Sequence, residues 1–103
     1  MNLNYSNSNL SFIPVSLPND LVKLDLSYNN IGKITNFDHL YMLEELCLSH
    51  NNFEEITGLD NLRKLKVLDV SYNNVRTITG LNNLVSLEVL CMDNLNIERI
   101  ELS

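Results

Sequence analysis

The sequence predicts a right-handed α/β solenoid, with a short parallel sheet on its concave face and short helical or irregular segments returning along the outside. Three observations predict it. Leu21, Leu43, Leu65 and Leu87 recur every 22 residues; each opens a segment close to L-x-x-L-x-L-x-x-N-x-I; and the apolar positions coincide from copy to copy. Self-similarity at such a period marks stacked units, each of which must share its apolar face with its neighbours to bury it.

Each element follows from its column. The fourth positions (Leu24, Leu46, Leu68, Leu90) and sixth positions (Leu26, Leu48, Val70, Met92) alternate with polar neighbours, as a strand half-buried on one face requires. The eleventh (Ile31, Phe53, Val75, Ile97) and fourteenth (Ile34, Ile56, Ile78, Ile100) continue the core. Phe37 with Leu40, Leu59 with Leu62, and Leu81 with Leu84 keep a three-residue spacing, which suits one short helical turn. Asn36, Gly58 and Gly80 share the sixteenth position, with Leu102 in the last repeat. Glycine adopts a left-handed backbone freely and asparagine tolerates it, so these runs predict one recurring bend.

One domain spans 1–103: a degenerate N-terminal repeat (1–20), full repeats at 21–42, 43–64 and 65–86, and an incomplete terminal repeat (87–103). In the degenerate copy, Leu3, Tyr5, Ser8, Leu10 and Ile13 fall 21 residues before Leu24, Leu26, Asn29, Ile31 and Ile34. Pro14 and Pro18 lack amide donors, so its return is expected to be extended or turn-like. Asn29, Asn51 and Asn73 stand at the ninth position, where the chain leaves the strand. A buried amide there needs several partners, which predicts a structural ladder bonded to the bend and to the neighbouring repeat. Leu95 ends the ladder and Ser8 partly substitutes at its start.

The segments LVKLDLSYNNIGKITNFDHL, LEELCLSHNNFEEITGLDNL and LKVLDVSYNNVRTITGLNNL resemble the 22-residue class of leucine-rich repeats, as found in a regulatory subunit of protein phosphatase 1, an axonemal dynein light chain and a spliceosomal A-prime protein. The likeness covers about residues 21–100, while the LPNDL end of the first return looks like a shorter, proline-containing class. It implies a scaffold for protein binding, and no contact residue of a relative is carried over.

Composition narrows the function. The chain has 103 residues, 45% apolar, and a net charge of −6 from 13 acidic and 7 basic residues. Direct nucleic-acid binding is disfavoured, because it draws on cations set against phosphates. No apolar run approaches the roughly 20 residues of a membrane span, and Met1-Asn-Leu-Asn opens no secretory signal. An intracellular location, cytoplasmic or nuclear, is expected, with the sequons at Asn4 and Asn9 unused. Cys47 and Cys91 occupy the fifth position two repeats apart, about 10 Å at the spacing of neighbouring strands, too far for a disulfide.

If the fourth and sixth residues point inward, the third, fifth and seventh face outward across the concave sheet. The third-position column reads Lys23, Glu45, Val67, Val89; the fifth Asp25, Cys47, Asp69, Cys91; the seventh Ser27, Ser49, Ser71, Asp93. Val67, Val89 and Cys91 are therefore expected to form a small apolar patch bordered by Asp69 and Asp93, to which a protein partner brings Lys or Arg. Tyr28, His50 and Tyr72 form an eighth-position column that serves either as an interface anchor or as local packing. Glu54, Glu55, Arg76, Glu98 and Arg99 are expected to form an ordinary solvated edge.

No catalytic, cofactor-binding or metal site is expected. Cys47, His50 and Asp69 have the residue types of a nucleophile, base and orienting acid, but three residues of strand set Cys47 and His50 roughly 10 Å apart. The reading is a non-catalytic small subunit or adaptor in a larger assembly. Its alternatives are a phosphatase-regulatory-subunit-like binder, or an architectural subunit whose contacts lie at its ends, including a homodimer through the C-terminal end.

Overall fold

A computed structural model describes residues 1–100, with the side chains of Arg99 and Ile100 left aside. The expectation placed on Leu102 lies outside the described residues, and those placed on the Arg99 and Ile100 side chains fall on side chains that are not described.

Five strands, β1 (Asn2–Asn4), β2 (Lys23–Asp25), β3 (Glu45–Cys47), β4 (Val67–Asp69) and β6 (Val89–Cys91), form one parallel sheet in the order β1-β2-β3-β4-β6. The register follows the columns: Leu3, Leu24, Leu46, Leu68 and Leu90 are successive partners, and so are Asn4, Asp25, Cys47, Asp69 and Cys91. The 21-residue offset of the first copy is thus real in space as well as in sequence. Each strand is three residues long, so only the third and fifth positions are presented outward by strand geometry.

Behind the sheet, one continuous apolar core runs from Ile13 to Leu84, and Phe37 and Phe53 are among its largest fully buried side chains. At its two ends burial is only partial, at Leu3, Tyr5 and Leu10 on one side and at Leu87, Leu90, Met92, Leu95 and Ile97 on the other. The expected left-handed bends are present: Asn36, Gly58 and Gly80 have φ of 66°, 75° and 72°. A β-carbon on Gly58 would stand 3.2 Å from the Ile34 carbonyl oxygen, and one on Gly80 3.1 Å from that of Ile56.

Two features differ from the sequence reading. The return segments contain no helix among the described residues, so the α half of the expected α/β class is not realised. Instead they close by successive single turns: the amide of Leu40 donates to Phe37 O at 3.0 Å and that of Leu43 to Leu40 O at 3.2 Å, with the same pairs recurring at Leu59–Leu62–Leu65 and Leu81–Leu84–Leu87. The three-residue apolar spacing is satisfied by these turns, and the few residues before the next strand cannot offset the cost of nucleating a helix. The second difference is a minor ladder. β5 (Thr77–Ile78) pairs in parallel with β7 (Arg99–Ile100), and Glu55 bridges to Thr77.

Candidate functional site

The site begins with the chain's exit from each strand. Asn29, Asn51 and Asn73 are buried there, and each amide joins two repeats. Asn51 Oδ1 accepts the Ile31 amide at 3.1 Å, while its Nδ2 donates to Leu26 O, Leu48 O and Ser49 O at 3.0–3.1 Å. Asn73 repeats the pattern with the Phe53 amide and with Leu48 O, Val70 O and Ser71 O. Asn29 accepts from the amides of Ser8 and Leu10 and donates to Tyr5 O, Leu26 O and Ser27 O. Ser8 substitutes only for the local part, its hydroxyl donating to Ser6 O at 3.3 Å.

A second exit device was not read from the sequence. Asp25 Oδ1 accepts the Ser27 amide at 2.9 Å and its hydroxyl at 2.7 Å, and Asp69 Oδ1 accepts the Ser71 amide at 3.0 Å. Asn4 does the same for Ser6 at 2.8 Å. The i, i+2 spacing of Asn or Asp with Ser is the sequence signal for such a turn. It also corrects the seventh column: Ser27, Ser49 and Ser71 are buried, because the chain has already turned before it reaches them. Only Asp93 of that column is exposed.

The sheet face carries the third- and fifth-position side chains in register. It forms a shallow depression of about 420 Å³ lined by Lys23, Asp25, Glu45, Cys47, Val67, Asp69 and Cys91. Glu45, Cys47, Val67, Asp69 and Cys91 are half-buried, and Val89 is 46% exposed. Lys23 Nζ lies 2.8 Å from Glu45 Oε2, and the Glu45 carboxylate, through this hydrogen bond and its charge, holds the Lys23 ammonium above its ordinary value. Glu44 and Lys66 pair at 3.2 Å. Cys47 Sγ lies 3.3 Å from Ser49 Oγ and 4.0 Å from Asp69 Oδ2. Partial burial, then the carboxylates of Asp69 and Asp93 and the Cys47 thiol, push the Cys91 thiol upward, opposite to the shift an activated nucleophile needs. Both cysteines are free, with the Asp69 strand between them.

Along the strand exits, the rings of Tyr28, His50 and Tyr72 form one stack. Their centroids are 4.1 Å and 4.3 Å apart and their planes 9° from parallel. All three residues are left-handed, with φ of 57°, 55° and 58°, so the same bend aims the three rings alike. Tyr72 is nevertheless 47% exposed, so the stack packs locally and still presents its edges to solvent. His50 therefore has a tyrosine ring on each of its faces.

Residues 42–83 match a family model described as Leucine Rich repeats (2 copies), and residues 18–33 one described as Leucine Rich repeat; together the matches span more than half of the chain. The chain is a leucine-rich repeat protein, of a class that generally serves protein–protein interaction. No curated protein matches it by sequence.

Proposed function

We propose that this chain is a non-catalytic protein-binding subunit or adaptor that engages its partner through the concave sheet, in the cytoplasm or nucleus. The observation that carries the reading is the continuous register of β2, β3, β4 and β6, which sets the third- and fifth-position side chains side by side on one open face. Towards β6 this face exchanges its Lys23–Glu45 pair for Val67 and Val89, the mixture of apolar centre and charged border from which protein interfaces are built. Likeness to the phosphatase regulatory subunit enters only as the shared repeat length. The test is affinity capture from the native cell with wild type and with Val67→Glu combined with Val89→Glu. Partner capture is expected to disappear while the circular dichroism spectrum stays unchanged. Undiminished capture would refute the concave-face reading.

A second reading has one observation in its favour: Leu87, Leu90, Met92, Leu95 and Ile97 are only partly covered at the C-terminal end of the core. Another subunit or a second copy would complete that coverage. Light scattering at micromolar concentration tests the second copy, for which a dimer is expected and a stable monomer would be the contrary result.

A further inference from the structure

The charge on the concave face exceeds what its turns require. Asn4, Asp25 and Asp69 occupy one column and make the same turn, each accepting the amide two residues on at 2.8, 2.9 and 3.0 Å. An uncharged asparagine therefore satisfies that geometry, and a carboxylate adds a charge that the turn itself does not need. Lys23 and Lys66 already pair with Glu45 and Glu44, and among the described residues no cation lies within ion-pair distance of Asp69 or Asp93. The backbone sets them on neighbouring coils: Asp69 pairs in register with Cys91, and two residues on, the Asp93 amide donates to Ser71 Oγ at 3.0 Å while Asp93 O accepts from the Tyr72 amide at 2.8 Å. Both carboxylates act on the Cys91 thiol, beside Val67 and Val89.

We propose that the β4–β6 half of the sheet face takes an extended, basic segment of another protein, with a Lys or Arg seated between Asp69 and Asp93 and an apolar side chain over Val67 and Val89. This rests on the concave-face reading and names the partner's chemistry. Charge complementarity selects the occupant. A second copy of a chain with net charge −6, a nucleic-acid backbone or an anionic membrane would each bring like charge to the uncompensated carboxylates.

The probes are short labelled peptides of alternating Lys and Val, Ser and Val, and Glu and Val, titrated by fluorescence anisotropy at low salt. The Lys peptide is expected to bind about tenfold more tightly than the Ser peptide, and the Glu peptide more weakly than either. Asp69→Asn and Asp93→Asn, the former keeping its turn acceptor, should each weaken the Lys peptide about threefold. Glu54→Gln with Glu55→Gln removes from the other side the net charge that the two Asp variants remove together, and should leave binding unchanged. Equal losses from the two pairs, or no measurable binding of the Lys peptide, would overturn the proposal. Lys and Ser peptides bound alike, and both released by Val67→Lys, would overturn it while supporting the concave face. A Lys peptide indifferent to Val67→Lys would overturn both.

Discussion

Replacing Asn51 by alanine tests how the stack is held together. The substitution removes the acceptor of the buried Ile31 amide and one donor each from Leu26 O, Leu48 O and Ser49 O. The carbonyls retain other partners: Leu26 O keeps Asn29, Leu48 O keeps Asn73, and Ser49 O keeps the Tyr28 amide. The loss is therefore mainly one orphaned buried N–H, about 2 kcal/mol. At roughly 4–8 °C per kcal/mol for a domain of this size, the midpoint should fall by about 8–16 °C. Asn73→Ala orphans the Phe53 amide in the same way. In the double variant Leu48 O loses both side-chain donors, so the cost should exceed the sum of the singles by about 1 kcal/mol. Urea unfolding followed by circular dichroism measures all four states of the cycle. A single-variant cost below about 0.5 kcal/mol, or additivity within about 0.3 kcal/mol, would refute the shared-carbonyl ladder.

Three further outcomes are expected. Gly58→Asn should be tolerated better than Gly58→Val, by about 1 kcal/mol in urea unfolding, because asparagine already serves the same left-handed bend at Asn36 and a branched residue does not. His50→Ala should cost about 1 kcal/mol through loss of two ring contacts, and His50→Phe should recover most of it; equal losses would assign the effect to something other than stacking. Alkylation of Cys91 by iodoacetamide, read by peptide mass spectrometry, should run more slowly than that of free cysteine at neutral pH. A raised thiol pKa leaves less thiolate below that pKa, so the labelling profile should lie to higher pH and move back down in Asp93→Asn; a profile lying to lower pH would contradict the assigned cause.

What the sequence disclosed and what it withheld follow from one physical difference. Leu24, Leu46 and Leu68, or Asn29, Asn51 and Asn73, are held by a fixed period, and any stacked coil must place such equivalents in line. The sheet register, the ladder and the left-handed bends at Asn36, Gly58 and Gly80 were legible for that reason. Where a strand stops is not a property of the period. The inward turn is a local matter: Asp25 and Asp69 accept the amides of Ser27 and Ser71, and Cys47 stands at the same place before Ser49, so extending strand alternation by one step placed those serines outside. For the returns, three-residue spacing serves a single turn as well as a helix, and the structure realises the single turns without a helix among the described residues. The parallel orientation of Tyr28, His50 and Tyr72 required the left-handed backbone that only the structure supplied.

The contact surface itself can be mapped by titrating the alternating Lys and Val peptide into isotopically labelled protein and following the backbone amide resonances. The account predicts that the largest shifts fall on Val67, Asp69, Val89, Cys91 and Asp93, with Tyr72 at the margin and Glu54, Glu55 and Glu98 unmoved. Shifts centred on Glu54, Glu55 and Glu98, with the β4–β6 amides still, would contradict it.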